Sequence, residues 1–188
     1  MRIPIWISNR HIHLSKEDAE ILFGKNYTFK KRKELSQKDQ YAYEEILTIK
    51  WDAWEISHVR ILWPHRKETQ IEILTEDQFV LGTNAPLRLS WDLKWTPGIT
   101  LIWPKATHTT KNGLIIAKRH IHLSPQQAKE LKVIEWDNIK IKTEWERAVI
   151  FDNVIVRIFD RYDKDFHIDR EEWNAAGLKT GDFWTIIT

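Results

Sequence analysis

Apolar and polar positions alternate with period two at several points along this chain, and the apolar runs between turns are short. In Gln70-Ile71-Glu72-Ile73 the two isoleucines fall on one face and the polar pair on the other, as successive side chains of a strand must. Strands are expected at residues 3–7, 45–50, 58–62, 70–74, 87–89, 99–102, 114–117, 139–142, 147–151, 154–159 and 183–187, with Asp152-Asn153 read as a hairpin-like turn. Short helices are expected from Lys16 to about Phe23, from Pro125 onward, and around residues 171–176, where Gly177 makes a suitable C-cap. Many short strands punctuated by turns predict a mainly β fold, barrels or sandwiches, with small helices as caps.

One stretch occurs twice. Ser8-Asn9-Arg10-His11-Ile12-His13-Leu14-Ser15 is followed, 109 residues later, by Ala117-Lys118-Arg119-His120-Ile121-His122-Leu123-Ser124, with six consecutive residues unchanged. That offset exceeds the roughly 20–50 residues of solenoid repeats. Each copy reads as strand, cap, short helix, with Ser15 and Ser124 as N-caps. In a strand, His11 and His13 project together, as do His120 and His122, while Ile and Leu turn the other way. Two imidazoles on one face can be the polar side of an amphipathic strand. Two identical copies, holding four of the eight histidines, point instead to a metal centre. His58, His65 and His108 lie outside any such motif and read as surface or turn residues.

Composition narrows the choice. The 188 residues suffice for one domain or two small ones. A formal net charge of +2 gives no electrostatic case for nucleic acid or a membrane surface. The basic run 30–33 reads as solvated surface. Without cysteine there are no thiolate sites and no disulfides. No apolar run reaches the roughly 18 residues of a membrane span. With the first strand starting at about Arg2, no room for a signal peptide is expected, and a cytoplasmic protein is. The stretch Asp163-Lys164-Asp165 superficially suggests a calcium loop, but Ile168 and Asn174 stand where such a loop needs glycine and an acid.

The doubled Arg-His-Ile-His-Leu-Ser, Thr69-Gln70-Ile71-Glu72, Leu81-Gly82 with Ala85-Pro86-Leu87-Arg88-Leu89-Ser90, and His167-Ile168-Asp169 with Asn174-Ala175-Ala176-Gly177-Leu178 resemble the PduL-type phosphate acyltransferases, or phosphate propanoyltransferases. The likeness runs in order from about residue 3 to the C-terminus. It implies an enzyme exchanging a short acyl group between coenzyme A and inorganic phosphate at a dinuclear zinc site between two β-barrels, the chain crossing between them. One barrel would combine residues 1–9 with 118–188, the other 10–23 with 45–117, and 24–44 would form a small inserted hairpin. The resemblance assigns one zinc to His11, His13 and Glu72, and the second to His120, His122 and His167. It places Arg66 on phosphate, and Leu62, Phe79, Ser90 and Ala117 near coenzyme A. Members of that family often work inside bacterial microcompartments, directed by an N-terminal extension; none is read in this chain, so a free cytoplasmic enzyme beside an acetate or propionate kinase is expected, and a homodimer. Two rival readings use the same ligands: a zinc hydrolase of esters or thioesters, which would need no phosphate, and a non-catalytic metal-binding β-module.

Tryptophan is the anomaly. The chain has 11 Trp and 6 Gly, where ordinary usage of about 7% would give roughly 13 Gly. Trp51-Asp52, Trp63-Pro64, Trp91-Asp92, Trp103-Pro104 and Trp136-Asp137 stand where turn chemistry favours glycine, and the resemblance puts glycine at 63, 91, 95 and 103. Many of these are therefore expected to be glycine positions; the rival reading is genuine aromatic packing or a stacking surface.

Overall fold

The computed structural model describes residues 3–35, 39–160, 162, 164–179 and 181–187. In chain order the first elements are β1 (Ile3–Ser8), β2 (His11–His13), α1 (Lys16–Phe23), β3 (Lys31–Glu34), β4 (Tyr41–Trp51), β5 (Trp54–Trp63), β6 (Gln70–Ile73) and α2 (Thr75–Leu81). They are followed by β7 (Leu87–Arg88), β8 (Thr100–Trp103), β9 (Ala106–Thr109), β10 (Leu114–Ala117), β11 (His120–Leu123) and α3 (Pro125–Leu131). The last are β12 (Asn138–Thr143), β13 (Ile150–Ile158), β14 (Asp165–Asp169), α4 (Arg170–Ala176) and β15 (Phe183–Ile187). The fold is mainly β, as the alternation predicts. None of the described helices is long and apolar enough to cross a membrane.

The chain divides into two compact units, Met1–Ser8 with Lys118–Thr188, and Asn9–Ala117. The first is a closed six-stranded barrel in the order β1-β14-β11-β13-β12-β15, sealed by antiparallel pairing of β1 with β15. Its interior holds Ile5, Ile121, Leu123, Val154, Val156, Phe166 and Trp184, all buried. The second is a nine-stranded curled sheet, β7-β10-β6-β2-β5-β4-β8-β9 with β3 beside β4, so the two-barrel expectation is met by one closed barrel and one half-barrel. Ile12, Leu14, Ile49, Val59, Ile61, Ile71, Leu101 and Leu114 fill its core. Burial of each such side chain contributes about 1.5–3 kcal/mol.

Two departures from the sequence reading have clear causes. Asp152-Asn153 is not a hairpin turn; it lies inside the single strand β13. Ile139 pairs with Val154 and Ile141 with Phe151, so β13 carries one extra residue, a bulge in which Asn153 takes φ 56°, a conformation asparagine tolerates. Helix α2, absent from the sequence reading, lacks the capping residue that marks the other helices: Leu74 stands at its N-cap position, and Asp77 holds its start by accepting the Leu74 N–H at 2.9 Å. Lys111-Asn112-Gly113 bends the chain into β10. Gly113 has φ 112°, and a Cβ there would sit 2.2 Å from the Thr69 carbonyl oxygen, so β10 can approach β6 only with glycine.

Candidate metal centres

The duplicated hexapeptide builds the same frame in each unit. β2 runs parallel to β5 and antiparallel to β6, with His11 opposite Glu72. β11 runs parallel to β13 and antiparallel to β14, with His120 opposite His167. Glu72 and His167 thus occupy one register position, each three residues before the first residue of a helix, α2 or α4. The strand preceding each repeat joins the other unit's sheet in matching register: Trp6 of β1 beside His167, Ile115 of β10 beside Glu72.

Most residues of the hexapeptide have the same task in both copies. Ile12 and Ile121, and Leu14 and Leu123, are buried. Ser15 and Ser124 accept the backbone N–H of Asp18 and Gln127, capping α1 and α3. Arg10 donates from Nε to Asp77 at 2.9 Å, and its Nη2 lies 2.7 Å from the same carboxylate. Arg119 Nε lies 2.7 Å from Glu172. Asp77 and Glu172 each stand five residues after the third candidate ligand and each cap the helix that follows it. The arginine therefore ties the His-x-His strand to the helix behind its antiparallel neighbour.

In the first unit the side-chain ligand atoms of His120, His122 and His167 all lie within 4.8 Å of one another, the one such His, Cys, Asp or Glu group among the described residues. His120 and His167 stack at 4.9 Å between ring centroids, and Tyr162 stacks on His122 at 4.0 Å. The Lys118 carbonyl accepts from His120 Nδ1 at 2.9 Å. A carbonyl can only accept, so Nδ1 carries the proton and Nε2 the lone pair. Burial, followed by the charges of His167, His120 and Arg157, holds the His122 pKa far below its ordinary value, keeping the imidazole in the form that binds metal.

In the second unit His11 donates from Nδ1 to the Asn9 carbonyl at 2.8 Å, two residues back, as His120 does to Lys118; His13 donates to the Pro64 carbonyl at 3.0 Å. Both tautomers again put the lone pair on Nε2. The Glu72 carboxylate lies 3.5 Å from His11 Nε2, and the His11 and His13 rings meet edge to face at 5.3 Å. Burial alone would depress the His11 pKa, but the charge and hydrogen bond of Glu72 raise it. His13 is lowered well below its ordinary value by burial, then by Arg66 and His11. Burial would raise Glu72, yet His11, Arg66 and His13 hold it far below the usual carboxylate range. Arg66, which the sequence reading assigns to phosphate, is thus within electrostatic reach of all three; its backbone N–H donates to the Leu14 carbonyl at 2.9 Å.

Some residues around this set carry no signal in the sequence taken alone. Gln70, fully buried, donates from Nε2 to Glu72 Oε1 at 2.5 Å, and the Trp91 backbone N–H donates to Gln70 Oε1 at 2.8 Å. Ser90, expected near coenzyme A, donates to the same Glu72 oxygen at 3.2 Å. The other residues expected there are dispersed in kind: Leu62 half-buried on β5, Ala117 half-buried at the end of β10, and Phe79 exposed on α2. His108 pairs with Asp18 at 2.8 Å, tying β9 to α1; His65 Nδ1 donates to the Leu14 carbonyl; His58 lies against Ser57. None of these three joins either set.

Comparison with known proteins gives the family. Residues 4–179 match the family profile described as phosphate propanoyltransferase. A phosphate propanoyltransferase of Thermotoga maritima is 46% identical over 98% of this chain and 89% of its own length. Those of Citrobacter rodentium (46%, covering 98% and 88%) and Escherichia fergusonii (45%, covering 93% and 83%) are similarly related. With the match running through both histidine repeats, the chain belongs to the phosphate propanoyltransferase family and is an acyltransferase.

Proposed function

We propose that this enzyme transfers a short acyl group between coenzyme A and inorganic phosphate, with two zinc ions per chain, one on His11, His13 and Glu72 and one on His120, His122 and His167. The observation that carries the metal assignment is the doubled frame: three donors at equivalent registers in each unit, with Nδ1 of His11, His13 and His120 engaged by carbonyls so that the Nε2 lone pair is left for a metal. The donor set fits zinc, which takes imidazole and carboxylate, and three protein donors leave a coordination position for substrate. Zinc would supply Lewis acidity at the reacting carbonyl and a soft partner for a departing thiolate.

The chain's own residues do the rest. Arg66 offers a planar fork to two phosphate oxygens, and its positive charge beside the Glu72 set draws the anion to that unit. A phosphate oxygen attacks the thioester carbonyl carbon; a C–O bond forms, the C–S bond breaks, and coenzyme A leaves as thiolate and takes a proton. A chain without cysteine has no thiol to carry the acyl group, which favours direct transfer. Ser90 and Gln70 hold one Glu72 oxygen and leave the other turned toward His11. The acyl phosphate product is the substrate class of an acetate or propionate kinase, and homodimeric assembly in the cytoplasm completes this reading. The test is thiol release from acetyl-CoA and propanoyl-CoA by zinc-loaded protein with and without phosphate. Release that requires phosphate is expected; equal release without it would make the protein a thioester hydrolase.

A further inference from the structure

The tryptophans divide by backbone conformation. Trp63 stacks against Tyr41 and Trp103 packs on Phe23 at 4.6 Å, so these positions serve an aromatic cluster. Trp184 is 1% exposed in the barrel core. Trp91, Trp95 and Trp136 are different. Their φ angles are 79°, 61° and 74°, the same left-handed band as Gly82 at 68° and Gly177 at 64°. Among the described residues the other non-glycine residues with positive φ are Asn26, Asp39 and Asp52 in turns, Asn153 in the β13 bulge, His58 and Lys132, of which only the lysine is unusual there. A large aromatic in that conformation pays a Cβ clash with the following carbonyl. It gains little burial in return: Trp91 is 70%, Trp95 86% and Trp136 56% exposed, the last with the Arg157 guanidinium 4.7 Å from its ring. Three exposed side chains thus occupy backbone that glycine adopts without strain.

We infer that positions 91, 95 and 136 are glycine positions of this protein, encoded by UGA, a codon that some genetic codes read as tryptophan and others as glycine. The shortage of glycine and the excess of tryptophan in the composition run in the matching direction. Position 91 gives the inference a functional edge, resting on the assignment of Arg66 to phosphate. Its backbone N–H holds Gln70, which holds Glu72, and that bond needs no side chain. The indole, in contrast, has its ring 5.6 Å from the Arg66 guanidinium. Glycine keeps the N–H in place and opens that face of Arg66 to an oxyanion.

The decisive experiment reads the three codons and the masses of the corresponding peptides from protein purified out of its source cells. UGA codons with glycine-containing peptides are expected; UGG codons, or peptides carrying tryptophan, overturn the inference whatever the enzyme's activity. A second measurement uses recombinant protein of the present sequence. Trp91→Gly, Trp95→Gly and Trp136→Gly should each raise the melting temperature by about 2–4 °C, and the Ala variants at the same positions should not, since alanine shares the strain. Equal effects of Gly and Ala would overturn the backbone argument. Trp91→Gly should also lower the phosphate KM about 2–5-fold, the loss of an exposed cation–π contact; an unchanged KM alongside a raised melting temperature would remove the Arg66 consequence alone.

Discussion

The two histidine repeats share one scaffold and differ in what it carries. Both have the arginine clamp, the buried Ile and Leu, the serine cap and a first histidine fixed through Nδ1 to the carbonyl two residues back. The antiparallel neighbour supplies His167 in one unit and Glu72 in the other, and that single exchange alters the electrostatics. Burial, then the charges of His167, His120 and Arg157, suppresses protonation of His122. A carboxylate does the reverse, raising His11 and balancing the charge of Arg66. A duplicated frame can thus carry two unlike donor sets, one neutral and one anionic beside a cation.

The largest expected break in this comparison is removal of a third ligand. Glu72→Ala and His167→Ala should each lower acyl transfer by more than about 100-fold, since even residues behind metal ligands are worth 10–100-fold. Steady-state rates with propanoyl-CoA and phosphate check this, and one variant near full activity would show its unit's set to be dispensable.

Next come the clamps, which are unequal. Asp77 is almost fully buried beneath Arg10, whereas Arg119 and Glu172 are partly exposed. Arg10→Ala leaves a buried carboxylate unpaired and should cost about 3–5 kcal/mol in denaturant unfolding. Arg119→Ala should cost about 1.5–3 kcal/mol, the value of a charged hydrogen bond with solvent access. Equal costs would argue against burial as the distinction. Arg66→Ala then separates the units by function: the phosphate KM should rise about 10–100-fold, with turnover reduced and both zinc ions retained. Unaltered phosphate kinetics would take that role from Arg66.

The smallest effect is in pH. His13 and His122 have depressed pKa values in the metal-free fold, so below about 6.5 the unfolded chain binds protons that the native state refuses. Their contribution makes metal-free protein lose stability as pH falls through that value. His11, raised by Glu72, acts oppositely: its stabilisation is present below about 6.5 and fades as pH rises through its folded value. His65, depressed by burial, falls on the side of His13 and His122, and Asp169 and Glu172, raised by burial, oppose them only toward the carboxylate range. Three depressed imidazoles against one raised one predict a net loss on acidification, steeper in Glu72→Ala, where His11 loses its partner. Melting curves of the apo protein between pH 7.5 and about 5 would show it; greater stability at the acid end would contradict the account.

Much of this was legible in the sequence because period two and an exact repeat are local signals. His11 with His13, and His120 with His122, needed only strand geometry, and Ser15 and Ser124 only the capping rule. Glu72 and His167 needed the family likeness, since nothing local separates a ligand carboxylate from a solvated one; their equivalence became visible only through strand pairing. The same holds for Asp77 and Glu172, distant in sequence from the arginines they meet, for Gln70, which reads as an ordinary polar position, and for Ser90, which the likeness puts near coenzyme A, until folding sets both on Glu72. Asp152-Asn153 misled because the residues that favour a hairpin turn also favour a bulge.

The most direct test of the paired-site account is to count bound zinc per chain by native mass spectrometry in the unaltered protein and in Glu72→Ala and His167→Ala. Two ions in the parent and one in each variant are predicted, because each unit holds its own. A parent with a single ion, or one substitution that empties both sites while the fold persists, would contradict the claim that the repeats are two complete metal frames.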